Sequence, residues 1–105
     1  MNKNPRWVRV ARCQDIPLRE GRAVRLGSRE IAIFNLGERF LAVANQCPHR
    51  GGPLADGIVS GGRVVCPLHL SQFDLRTGQV MNPPAEVPLQ RFNVKIEGDT
   101  IFVEV

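Results

Sequence analysis

The stretch QCPHRGGPLADGIVSGGRVVCPLH, residues 46–69, carries two short pairs of metal-ligating side chains, Cys47-Pro48-His49 and Cys66-Pro67-Leu68-His69. Sixteen residues lie between His49 and Cys66, and within them Gly57 to Ser60 and Arg63 to Val65 flank the dipeptide Gly61-Gly62. Two glycines in succession suit a two-residue hairpin turn, because both central positions of its commonest form take positive φ. Folded back on itself, the span delivers the two pairs side by side, as a four-ligand site requires. A disulfide between Cys47 and Cys66 would use the cysteines but leave both histidines without a reason. Two thiolates and two imidazoles suit one tetrahedral Zn²⁺ or an iron–sulfur cluster. The donor set alone leaves both open.

Outward from this stretch the chain reads as all-β. Phe92, Val94 and Ile96 alternate with Asn93, Lys95 and Glu97, and Ile101, Val103 and Val105 repeat the period of a half-buried strand. Gly98-Asp99 between them suits a tight turn. Ile31-Ala32-Ile33-Phe34 and Arg39 to Ala44 predict a second hairpin around Asn35-Leu36-Gly37. Trp7-Val8-Arg9-Val10 predicts an opening strand, with Trp7 in the core. Asp15-Ile16-Pro17-Leu18 suits one short turn, and no 3.6-residue period runs long enough for a helix. Asp56, Asp74 and Asp99 sit beside turn glycines or at strand ends and read as turn or capping residues. Residues 46–88 hold both histidines, two of three cysteines and six of eight prolines. Such a stretch is costly to order unless something outside the polypeptide organises it. It predicts a loop-rich, ligand-holding subdomain inserted into a scaffold of residues 1–45 and 89–105.

At 105 residues, 43% apolar and 23% charged, the chain fits one folded core and excludes a disordered or fibrous class. Its longest apolar run, Phe40 to Ala44, is far too short for a transmembrane helix, and no targeting segment is visible. The expectation is a cytoplasmic protein without membrane partners. The net charge of +4 is uneven, with +6 over residues 1–29 and −2 over the remainder. The arginines at 19, 22, 25 and 29 form no contiguous block. No tyrosine is present, and the aromatics do not interleave with bases as a nucleic-acid stacking platform needs. The arginines read as a solvated face, or as a means of attracting an acidic partner protein. No spare histidine or other residue reads as an acid–base catalyst on a substrate.

The residues around the ligand pairs go further. Residues 47–54, CPHRGGPL, and 66–69, CPLH, resemble the two cluster-binding boxes of the Rieske [2Fe–2S] family. Asp74-Leu75-Arg76-Thr77-Gly78 resembles the Asp-x-x-Thr-Gly turn that follows the second box. Met81-Asn82-Pro83-Pro84-Ala85 resembles the proline loop that covers the cluster. The resemblance spans nearly the whole chain. It implies an antiparallel β-sandwich or barrel, a single domain over 1–105, with 46–88 as the cluster-binding subdomain. It implies one [2Fe–2S] cluster per chain, with Cys47 and Cys66 on one iron and His49 and His69 on the other. Electron transfer, one electron at a time, is then the implied function.

Departures from the family pattern refine this. The extra cysteine pair of high-potential members falls on Gly52 and Leu68, so that bridge cannot form, and the chain resembles the ferredoxin-type group. Leu70 stands where many relatives have glycine. Of two hydroxyl donors toward cluster sulfur in high-potential relatives, Ser71 keeps one position and Phe73 lacks the other. Ser71 is therefore a candidate cofactor-binding residue, Cys13 an ordinary thiol, and Arg50 a docking charge beside the histidine edge. Within the group the chain most resembles the small subunit of NAD(P)H-dependent nitrite reductase, which implies a large subunit with flavin and sirohaem as partner. It also resembles the ferredoxin of multicomponent aromatic-ring oxygenases, which implies a flavoprotein reductase and a terminal oxygenase. A non-redox binding module clipped by zinc is the third class.

Overall fold

Four consecutive apolar residues, Ile31-Ala32-Ile33-Phe34, cannot all face one side of a strand, since successive side chains point to opposite faces. In the computed structural model, which describes residues 6–46, 53–67, 71–81 and 88–105, all four are fully buried because their strand is covered on both faces. Ile31 and Ile33 pack with Ile16, Ala42, Ile101 and Val103. Ala32 and Phe34 pack on the other face with Val43, Leu54, Val64, Cys66, Phe73 and Leu75. Each large side chain so buried contributes about 1.5–3 kcal/mol.

The strands are β1 (Trp7–Arg12), β2 (Gly21–Leu26), β3 (Arg29–Asn35), β4 (Phe40–Ala44), β5 (Ile58–Ser60), β6 (Arg63–Val65), β7 (Gln72–Asp74), β8 (Arg91–Phe92), β9 (Val94–Glu97) and β10 (Thr100–Glu104). They form three antiparallel sheets, ordered β1-β10-β9, β2-β3-β4-β8 and β5-β6-β7. The four-stranded sheet is the middle layer, with one apolar cluster on each face. Among the described residues two short 3₁₀ turns interrupt the strands, Cys13–Asp15 and Leu54–Asp56, and the all-β expectation holds. Among the described residues no helix is long and apolar enough to cross a membrane.

The predicted hairpins form. Gly61 and Gly62 take φ of 59° and 78° between β5 and β6, the turn that two left-handed residues build. Gly98 (φ 63°) and Asp99 join β9 to β10, with Glu97 opposite Thr100. Asn35 pairs with Phe40 across the β3–β4 connection, and its side-chain Oδ1 accepts the Gly37 N–H at 2.8 Å.

Three local expectations need correction. Trp7 does not enter the core: it is 37% exposed, its ring capped by the Lys95 ammonium at 4.6 Å from the centroid. The inner face of β1 is taken by Val10 and Ala11, which both pack inward because the pairing with β10 shifts between Arg9 and Ala11. The alternating run from Phe92 to Ile96 is two strands. Phe92 pairs with Ala42 in the middle sheet, whereas Val94 pairs with Val103 in the β1-β10-β9 sheet. The chain changes layer at Asn93, and Ile96 ends 43% exposed. The short turn falls on Cys13–Asp15, where the Asp15 carboxylate accepts the Arg12 N–H at 3.0 Å; Ile16 follows it into the core.

Candidate metal centre

The feet of two loops meet at one end of the β5-β6-β7 sheet, and a third loop leads into the same end through a short turn. Ile58 pairs with Val65, and Val65 with Gln72, so the end away from Gly61-Gly62 gathers Gly57, Cys66 and Ser71. The Cys66 N–H donates to the Ser71 carbonyl at 2.8 Å, closing the span 67–70. Val80 bridges to Phe73, and the Met81 N–H donates to the Gln72 carbonyl at 2.7 Å, so the chain enters 82–87 from beside the same end. Residues 47–52 are bracketed by the bridge between Gln46 and Pro53. From Pro53 the turn Leu54–Asp56 leads through Gly57 into β5.

The Asp74–Gly78 turn is explained by its contacts. The Asp74 carboxylate accepts the Arg76 N–H at 2.8 Å, and the Asp74 carbonyl accepts the Gly78 N–H at 2.6 Å. The Thr77 hydroxyl accepts the Gln79 N–H at 3.2 Å. Gly78 takes φ 81°, and a Cβ there would stand 2.6 Å from the Leu89 carbonyl oxygen, so no other residue fits. The Leu89 N–H in turn donates to the Gly78 carbonyl at 2.8 Å. The turn thus fixes where the chain returns after the proline-rich span. Asp74 is the turn residue its sequence context predicts.

Of the five expected site residues, Cys66 and Ser71 are brought together at this end, and both are fully buried. Cys47, His49 and His69 lie outside the described residues, as do Arg50, Gly52, Leu68, Leu70 and the stretch 82–87. Cys66 packs within the apolar cluster of Leu54, Val64 and Phe73, a water-poor setting for a sulfur donor. Phe73 is fully buried and has no hydroxyl to offer. Cys13 lies against the other apolar cluster, across the middle sheet. Among the described residues no group of three or more His, Cys, Asp or Glu forms a competing metal site.

Sequence patterning does not single out Asn45, yet the structure gives it a central place. It is 2% exposed, and its side chain joins Glu30 to Ala55 across the mouth of the 47–52 span. The available signal is an amide residue directly after the apolar run Phe40 to Ala44, two positions before a candidate ligand.

A buried soft sulfur at the foot of one loop, with further Cys and His donors in the adjoining spans, suits a thiolate-held iron centre as well as zinc. Comparison with known proteins decides between them. The Rieske [2Fe–2S] domain model matches residues 6–93. The 3-phenylpropionate/cinnamic acid dioxygenase ferredoxin subunit of Escherichia coli (strain K12) is 35% identical over 99 residues, 92% of this chain and 93% of that protein. The ferredoxin of carbazole 1,9a-dioxygenase from Nocardioides aromaticivorans IC177 superposes with a TM-score of 0.88 at 28% identity, over 96% of this chain and 97% of that one. A putative NADH-dependent nitrite reductase small subunit from Mycobacterium tuberculosis shares the fold, with a TM-score of 0.87 at 23% identity over 98% and 97% of the two chains. The chain belongs to the Rieske [2Fe–2S] domain family: it is a one-electron transfer domain that binds a [2Fe–2S] cluster.

Proposed function

We propose that this chain is the ferredoxin component of a multicomponent aromatic-ring-hydroxylating oxygenase, carrying single electrons from a flavoprotein reductase to a terminal oxygenase in the cytoplasm. The observation that carries this reading is likeness to a dioxygenase ferredoxin along almost the full length of both chains. The nitrite reductase small subunit, the first reading of the motifs, is supported at the level of fold. Cys47 and Cys66 hold one iron, and His49 and His69 the other, within residues 46–88. When bound, the cluster supplies reversible one-electron chemistry at a potential raised by its two imidazoles relative to four-cysteine clusters. The chain's own contribution is to set the feet of the loops, to keep water from the Cys66 sulfur, and to leave substrate chemistry to its partners.

The test is which proteins the chain serves. Isolated from its own cells, it is expected to bring down a flavoprotein reductase and an oxygenase, and to pass electrons between them at catalytic concentration. Capture of a sirohaem-bearing large subunit, with nitrite reduction depending on this chain, selects the other reading.

Ser71 is assigned to the cluster's sulfur. Its residue is fully buried and its carbonyl accepts the Cys66 N–H, which supports this reading. A hydrogen bond to a sulfur that gains charge on reduction favours the reduced state by about 1–2 kcal/mol. At roughly 59 mV per 1.4 kcal/mol for one electron, that is about 40–80 mV. Voltammetry of Ser71→Ala is expected to show a fall of this size with the visible spectrum intact. A shift under about 10 mV, well below that estimate, removes Ser71 from the site.

A further inference from the structure

We propose that Asn45 is the positioning residue of the first ligand-bearing loop, tying both feet of the 47–52 span to Glu30; the proposal rests on the assignment of Cys47 and His49 as ligands. All four polar atoms of this buried residue are used. Its N–H donates to the Glu30 carbonyl at 2.9 Å, and its Nδ2 donates to Glu30 Oε1 at 2.8 Å. Its Oδ1 accepts the Ala55 N–H at 2.8 Å, and its carbonyl accepts the Leu54 N–H at 2.6 Å. The first two bonds fix the strand that enters the loop to its neighbour β3. The second two seize the segment that leaves it.

The side chain must offer a donor and an acceptor together, which aspartate, ionised, does not and serine is too short to do. A buried network of this kind is specific when complete and costly when half-made. Removing the side chain breaks the bonds to Glu30 Oε1 and Ala55, and leaves the backbone bond from Leu54 to the Asn45 carbonyl and the bridge between Gln46 and Pro53 across the loop's mouth. Its bonds are all to protein groups on either side of the span, so it acts through the loop whose feet it joins.

The experiment uses iron-loaded full-length protein and reads the EPR spectrum of the reduced state, the visible circular dichroism and the half-life of the cluster in air. Asn45→Ala is expected to alter the EPR line shape and to speed cluster loss about 10–100-fold, the range for removing an outer-sphere partner of a metal ligand. Asn45→Asp sets two carboxylates against each other and produces the same defect. Adding Glu30→Gln to Asn45→Asp restores one donor facing one acceptor at unchanged total charge, and is expected to return the EPR line shape and half-life to the parent's. A lowered melting temperature in Asn45→Ala, with parental EPR and half-life, would make the residue merely structural and overturn the proposal. So would a double variant no better than Asn45→Asp alone. A parent protein with no iron signal overturns the ligand assignment, and this proposal with it, before any variant is made.

Discussion

Replacing Cys66 by serine will yield a folded but nearly colourless chain, its iron far below the roughly two per chain that a [2Fe–2S] cluster supplies. A serine hydroxyl is a hard, neutral donor where iron–sulfur chemistry calls for a soft thiolate. The residue is fully buried against Leu54, Val64 and Phe73, so the new hydroxyl also costs about 1–3 kcal/mol in stability. Far-ultraviolet circular dichroism separates that modest loss from loss of the fold. Cys13→Ser is the control: it lies across the middle sheet and is expected to keep its iron and visible spectrum. Retention of parental colour by Cys66→Ser would remove Cys66 from the ligand set. Colourless parent protein holding zinc after growth with iron would return the site to the zinc-clipped reading.

The second large effect is expected at Gly57. A Cβ there runs into the Val65 carbonyl oxygen and meets Val64 Cγ2 at 3.0 Å and the Leu54 carbonyl oxygen at 3.1 Å. Neither carbonyl is free to retreat, since Val65 is paired in β6 and the Leu54 carbonyl already accepts the Gly57 N–H at 2.9 Å. Gly57→Ala should therefore cost about 3 kcal/mol, the upper end for overpacking. At 4–8 °C per kcal/mol, the melting temperature falls by about 12–24 °C. Because Val65 immediately precedes Cys66, the displaced backbone also moves the foot of the second ligand loop, and iron content falls with stability. Gly27→Ala provides the contrast: the added Cβ meets nothing within 4 Å, so only the left-handed backbone at φ 64° opposes it, at about 1–2 kcal/mol. Equal melting temperatures for the two variants would show that the Gly57 contact yields easily.

The parts of this fold that local chemistry dictates were legible in the sequence. Gly61-Gly62 and Gly98 announce their turns because few other residues accept their positive φ, and the hairpin between the ligand pairs follows. The Rieske boxes likewise stand out as rare residues at fixed spacing. What stayed hidden depends on partners distant in sequence. Alternation at Trp7-Val8-Arg9-Val10 defines two faces but not which is inward, and the shifted pairing at Val10 turns Val10 and Ala11 inward together. The change of sheet at Asn93 leaves the period of Phe92 to Ile96 unbroken, so no local signal marks it. Asn45 gains its role from Glu30, fifteen positions away, and from Ala55 beyond the loop. A search for ligand types alone passes over it.

The pairing of β1 with β10 sets Trp7 opposite Glu104, and the Val105 N–H donates to the Arg6 carbonyl at 2.9 Å. The two ends of the described chain therefore leave together, from the layer that lies across the middle sheet from the loop feet. A tether attached at either end, whether to a fused reductase, a surface or an electrode, holds the molecule from behind. The same geometry makes the chain a natural cassette: it can be strung between other domains, or closed into a circle and reopened elsewhere, with the loop feet still on the side away from the join.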